Sequence, residues 1–147
     1  MQARKRSGTR SAASSTSRPP EPLTFFLDES LDGVSVVEAL RDAGALIERL
    51  TEHFPRGTPD EVWLTRAGQR GWIVLTRDKR IRYRQLERLA LQAAKVRAFV
   101  FTGGNVTAKD TAAILVRALP RMSKIARTDA GPFIYHLGRS GKPWRMD

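Results

Sequence analysis

Residues 71–80 read GWIVLTRDKR. The segment 72–76 is a short apolar run closed by polar residues, the pattern of a buried strand, and Asp78 stands just beyond it. Residues 23–30, LTFFLDES, repeat the arrangement, with an apolar run ending in Asp28 and Glu29. Between the two lies TPDEVW, residues 58–63. Thr58 is a helix cap, Pro59 takes the first helical position, and Glu61 follows the threonine by three residues, a capping box. That helix runs to about Gly68. Working outward, the spacing predicts a helix over 35–42 with Val36, Val37 and Leu40 on one face, a strand over 45–50, and the loop HFPRG after it. Downstream come a helix over 85–95, a strand over 97–101 and a helix over 107–119 capped by Thr107. A short helix to about Arg127 and a strand over 132–137 follow. Strand and helix alternate throughout, which is the pattern of an α/β sandwich with a mainly parallel sheet of about five strands.

The domain so read covers residues 23–138. Residues 1–22 are serine, arginine and proline with almost nothing to bury, and are expected to be disordered. Residues 139–147 read as a basic tail in which Trp144 can pack back. A chain of 147 residues with 41% hydrophobic content is long enough for a substantial core. There is no cysteine and there are two histidines, His53 and His136, far apart. Thiolate and histidine-rich metal sites are therefore excluded, and a metal would have to be a hard ion held by oxygen, Mg²⁺ or Mn²⁺. No apolar stretch reaches the roughly 18–20 residues of a membrane span, and a cytoplasmic location is expected.

In an open parallel sheet, ligands bind outside the carboxyl ends of the strands where the strand order reverses. If the strands bearing Asp28 and Asp78 are neighbours, about 4.8 Å apart, both carboxylates can hold one ion or a pair. Two like charges so close repel unless a cation intervenes. Asp28, Asp60 and Asp78 are the principal metal candidates, with Glu29 and Glu61 next and Asp32 and Asp110 as further candidates for a fourth ligand. Each has a plainer role available: Asp28 as a turn anchor, Asp78 as an ion-pair partner of its basic neighbours, and Asp60 and Glu61 as acids that a helix N-terminus favours.

The formal charge is +11, and residues 1–22 carry only +4 of it. The folded part is thus itself basic. Arg77, Lys79, Arg80, Arg82 and Arg84 crowd around Asp78, with Tyr83 available for stacking on a base. Cations to attract phosphates beside acids to hold a metal suit an enzyme acting on a nucleic acid. The glycine turn FTGGN, 101–105, matches no P-loop, and the serines and histidines form no triad spacing.

On FFLDES, TPDEVWLTRAGQRGW and VLTRDKRIR, the chain resembles the PIN-like nuclease superfamily, over roughly residues 24–101. The resemblance implies a three-layer α/β/α sandwich and three or four acids binding Mg²⁺ or Mn²⁺. It also implies cleavage of single-stranded RNA, often as the toxin of a toxin–antitoxin pair. It makes Asp28 the acid of the first strand, Asp60 the acid of the middle helix and Asp78 the acid after the third strand, all three catalytic. Many members carry a further acid after the last of these, where this chain has Lys79 and Arg80. The expected partners are single-stranded RNA, an antitoxin protein and a second copy of the chain, with no membrane. Two other readings compete. One is a degenerate PIN-like module that binds nucleic acid or a partner without cutting. The other is a receiver-like phosphoacceptor domain with Asp28 and Glu29, Asp78 and Thr102, which lacks a lysine directly after the last strand.

Overall fold

The computed structural model describes residues 22–82 and 85–145, and of these all side chains except those of 82–87. The strands are β1 (Thr24–Leu27), β2 (Leu46–Arg49), β3 (Ile73–Thr76), β4 (Arg97–Phe101), β5 (Phe133–Leu137) and β6 (Pro143–Arg145). The helices are α1 (Val34–Asp42), α2 (Leu50–His53), α3 (Asp60–Gln69), α4 (Gln85–Ala93) and α5 (Ala108–Thr128), with a 3₁₀ turn at Lys79–Arg82. They form one sheet in the order β2-β1-β3-β4-β5-β6. The first five strands are parallel, and β6 returns antiparallel to β5.

The two-residue period of the strands divides the core into two layers. Phe25, Leu27, Ile73, Leu75, Phe99, Phe101 and Phe133 meet Val36, Val37 and Leu40 of α1 and Leu115, Ala118 and Met122 of α5 on one face. Phe26, Val74 and Ala98 meet Trp63, Leu64 and Ala67 of α3 and Leu91 of α4 on the other. This is a three-layer α/β/α sandwich, as expected. Full burial of side chains of this size contributes roughly 1.5–3 kcal/mol each, so the sheet is held from both faces.

Three local expectations need correction. The capping box does not form: the Thr58 hydroxyl donates to the Pro55 carbonyl at 2.6 Å, and α3 begins after Pro59 with no side-chain cap. α3 ends at Gln69, within a residue of the expected end, and Gly68 lies inside its last turn. The missing side chain of Gly68 serves helix packing, since a Cβ there would lie 2.4 Å from the Ala94 carbonyl oxygen. Gly68→Ala should therefore destabilise by about 1–3 kcal/mol despite alanine's better helix propensity. Thermal melts should show the loss, while Gly33→Ala, whose Cβ meets nothing, leaves the melting temperature nearly unchanged.

The helices expected before and after Pro120 are one, α5, which runs through the proline. Leu115, Ala118, Met122 and Ala126 keep one buried face across it, so packing outweighs the hydrogen bond that proline cannot make. Within the expected basic tail, residues 143–145 form β6. The Trp144 ring stacks on His136 of β5 with centroids 5.0 Å apart, and Arg145 pairs with Asp129 at 2.7 Å. The Thr107 cap does form, accepting from the Asp110 N–H at 3.0 Å. Residues 1–21, Tyr83, Arg84, Met146 and Asp147 lie outside the described residues. Among the described residues no helix is long and apolar enough to cross a membrane.

Candidate active site

β1 has β2 on one side and β3 on the other. The chain order therefore reverses at β1, and the crevice beyond the carboxyl ends of β1 and β3 is the switch point of this sheet. Asp28 follows β1 there, and Thr76 is the last residue of β3. Asp28 is 3% exposed and Thr76 fully buried.

Two hydroxyls tie the strand ends together through the Asp28 carboxylate. Thr76 Oγ1 donates to Asp28 Oδ2 at 2.6 Å and accepts the Asp78 N–H at 3.0 Å. Ser30 Oγ donates to Asp28 Oδ1 and accepts the Arg77 N–H at 2.8 Å. The Ser30 N–H is a third donor to the carboxylate, reaching Oδ1 at 3.1 Å, which closes a turn on the aspartate. Asp28 is thus the turn anchor that its position allowed, and also a buried acid. Burial pushes its carboxyl up from 3.8 to about 6, against the lowering effect of the Ser30 and Thr76 hydrogen bonds, and the charge of Glu29 adds a smaller upward push. Among the described residues no cation offsets this: the neighbouring Arg77 turns away, donating to Thr111 Oγ1 at 2.9 Å with its guanidinium over the Phe101 ring.

Asp78 is placed at the same edge but is differently occupied. Arg80 grips both its carboxylate oxygens, with Nε 3.0 Å from Oδ1 and Nη2 2.9 Å from Oδ2. Asp60 stands in the first turn of α3 and accepts from Trp63 Nε1 at 3.0 Å. α3 runs back towards the start of β3, so this first turn also lies at the carboxyl edge. Glu29 is exposed and Glu61 half-buried. Asp32 is taken up by Thr51, whose hydroxyl donates at 3.2 Å, and by Arg49 at 3.6 Å. Asp110 is exposed at the start of α5. Of the basic candidates, Lys79 and Arg80 are exposed beside Asp78, while Arg77 is built into the fold. The side chain of Arg82 is not among those described.

A hard cation needs oxygen ligands that are not already neutralised. Asp28 meets that need, since a cation would relieve the cost of burying its charge. Asp78 has the right donor atoms, and its contact with Arg80 would have to give way. Among the described residues, no three acids or histidines lie close enough to share an ion. By donor chemistry, Asp28 and Asp78 beyond the neighbouring strands β1 and β3 are residues that fit a hard cation, and Asp60 stands at the same edge.

The sequence reading assigned no role to Ser30 and Thr76, which carry no charge, although both lie within the segments that carry the family resemblance. Their signal is an alcohol two residues from each strand-end acid, Asp-x-Ser and Thr-x-Asp.

The family model of the PIN like domain matches residues 23–103, from the start of β1 to just past β4. The chain belongs to the PIN-like domain family. The match spans Asp28, Asp60 and Asp78 together. A relative from Mycobacterium tuberculosis (strain ATCC 25618 / H37Rv), named "Putative ribonuclease VapC45", is 32% identical over 115 residues, covering 76% of this chain and 83% of its own. No solved structure matches the chain.

Proposed function

We propose that this PIN-like chain is a metal-dependent endoribonuclease that hydrolyses phosphodiester bonds in single-stranded RNA, acting in the cytoplasm as the toxin of a toxin–antitoxin pair. The observation that carries the reading is Asp28, an acid buried at the switch point with its pKa raised and, among the described residues, no cation to offset it. The ribonuclease name of the mycobacterial relative supports the substrate class.

Asp28 and Asp78 are the residues that would hold Mg²⁺ or Mn²⁺, with Asp60 a further ligand or the group that orients the attacking water. When bound, the cation supplies an acidified water and neutralises charge on the phosphate. Ser30 and Thr76 fix the Asp28 oxygens, so the carboxylate is oriented before substrate arrives. Lys79 and Arg80 offer charge to the RNA backbone, joined in sequence by Arg82 and Arg84. Arg80 has a second part in this reading. An arriving phosphate competes with Asp78 for its guanidinium, and transfer to the phosphate removes that contact from the Asp78 oxygens.

The Asp78–Arg80 pair and the lack of a three-acid group among the described residues favour one other reading, a module that binds RNA without cutting it. Labelled single-stranded RNA incubated with Mn²⁺, Mg²⁺ or EDTA separates the two. The expected result is cutting with either metal, none with EDTA, and a fall of at least about a hundredfold in Asp78→Asn. RNA bound but never cut would give first place to the binding module.

A further inference from the structure

Immediately beside Asp28, on the β2 side, the carboxyl edge opens into a groove of about 530 Å³. Its walls include Glu29, Thr51, Phe54, Arg56 and Thr58. The segment 55–58 is a tight turn: the Thr58 N–H donates to the Pro55 carbonyl at 3.2 Å and Gly57 takes φ +87°. Arg56 therefore stands at the tip of a closed turn rather than on a slack loop. Phe54 is half-buried and fixed, its ring meeting Phe26 edge-on at 6.5 Å with the Arg66 guanidinium over it at 5.9 Å. Glu29 and Arg56 make no hydrogen bond or ion pair with any described residue, including one another. An acid and a base that face one groove unpaired offer a ligand both an acceptor and a cation.

We infer that this groove is a subsite for one guanine nucleotide adjoining the scissile phosphate. The inference rests on the nuclease reading and adds a base preference to it. A carboxylate presents two acceptor oxygens and no donor. Guanine alone among the four bases places two donors, N1–H and the N2 amino group, side by side on its Watson–Crick edge. Adenine and cytosine set an amino donor beside a ring acceptor, and uracil sets N3–H between two carbonyls, so each would push one of its acceptors against the Glu29 oxygens. Phe54 gives the base a ring to stack on, and Arg56 meets the phosphate. The groove is large enough for one nucleotide. Glu29, next to Asp28 in the chain, sets the groove on the approach to the acids.

The test is fluorescence anisotropy with labelled five-nucleotide RNAs, UUGUU, UUAUU, UUCUU and UUUUU, in EDTA so that binding is read without turnover. Wild type should bind UUGUU about tenfold tighter than the other three. Glu29→Gln, which keeps one acceptor and adds donors, should bring the four within about twofold. Arg56→Ala should weaken all four alike and flatten the salt dependence. Equal binding of the four RNAs to wild type, or a guanine preference that survives Glu29→Gln, overturns the subsite. Incubation of the same RNAs with Mn²⁺ reports on the nuclease separately. UUGUU preferred but uncut sinks the nuclease and keeps the subsite, whereas cutting that ignores the guanine does the reverse.

Discussion

Asp28→Asn should melt several degrees higher than wild type at about pH 7.5 in EDTA, even though it removes the central acid. The native carboxyl titrates at about 6 against the usual 3.8, so the folded chain holds its proton more tightly than the unfolded one. Stability is therefore lost as pH rises through the interval between those two values, and the penalty is complete above the upper one. A shift of that size corresponds to at most about 3 kcal/mol. Asparagine recovers only part of it, because its amide NH₂ meets a hydroxyl that now donates to Asp28, and Ser30 or Thr76 must turn. A net gain of about 1–2 kcal/mol raises the melting temperature by roughly 3–6 °C in a chain of this size. At about pH 4 the wild-type carboxyl is protonated and its penalty is largely gone, so the order should invert, with the variant a few degrees below wild type because the amide's own mismatch remains. Mn²⁺ should reverse the order at pH 7.5, because it stabilises wild type by binding and has no carboxylate to meet in the variant. Melting below wild type at pH 7.5 as well, by the same margin as at pH 4, would show that Asp28 is held by favourable contacts and carries no burial penalty. Metal-dependent RNA cleavage should fall by about a thousandfold or more in the same variant.

The parts of this molecule that were legible in the sequence are those set by strong local patterns. The apolar runs of β1, β3 and β4 are bounded by polar residues, and the matching helical spacings complete the alternation of an α/β sandwich. Placing Asp28 and Asp78 at neighbouring strand ends needed one topological rule in addition. What escaped depends on contacts between distant segments. Gly68 has the same appearance in sequence whether it ends a helix or admits Ala94, and only α4 packed against it decides. Pro120 is a helix breaker until the buried face of α5 continues on both sides of it. In the basic cluster around Asp78, charge alone could not tell Arg77, folded under α5, from Arg80, clasped to Asp78, or Lys79, open to solvent. The hydroxyls of Ser30 and Thr76 were overlooked because neither acts alone, each mattering through the acid on one strand and the N–H beyond another.

Thr76→Val is the most direct test of that link. Valine has nearly the shape of threonine and cannot hydrogen-bond, so packing among the buried residues of β3 is kept while two bonds are lost. Asp28 loses a hydroxyl donor at 2.6 Å and the Asp78 N–H loses its acceptor at 3.0 Å. A hydrogen bond to a charged group contributes about 1.5–3 kcal/mol, and a donor left unsatisfied in a partly buried position adds to the cost. The expected loss is about 2–4 kcal/mol, or a fall of roughly 5–12 °C in melting temperature. Removal of that donor also takes away one of the contacts that hold the Asp28 pKa down, so the acid limb of the cleavage profile should move to higher pH. Thr76→Ser keeps the hydroxyl and loses a methyl group, and should restore both the pH profile and most of the stability. If serine behaves like valine, the methyl group is what matters at this position and the hydroxyl is incidental. If valine costs nothing, the strand ends are joined by their backbones alone, and the orientation of Asp28 must come from the Ser30 turn.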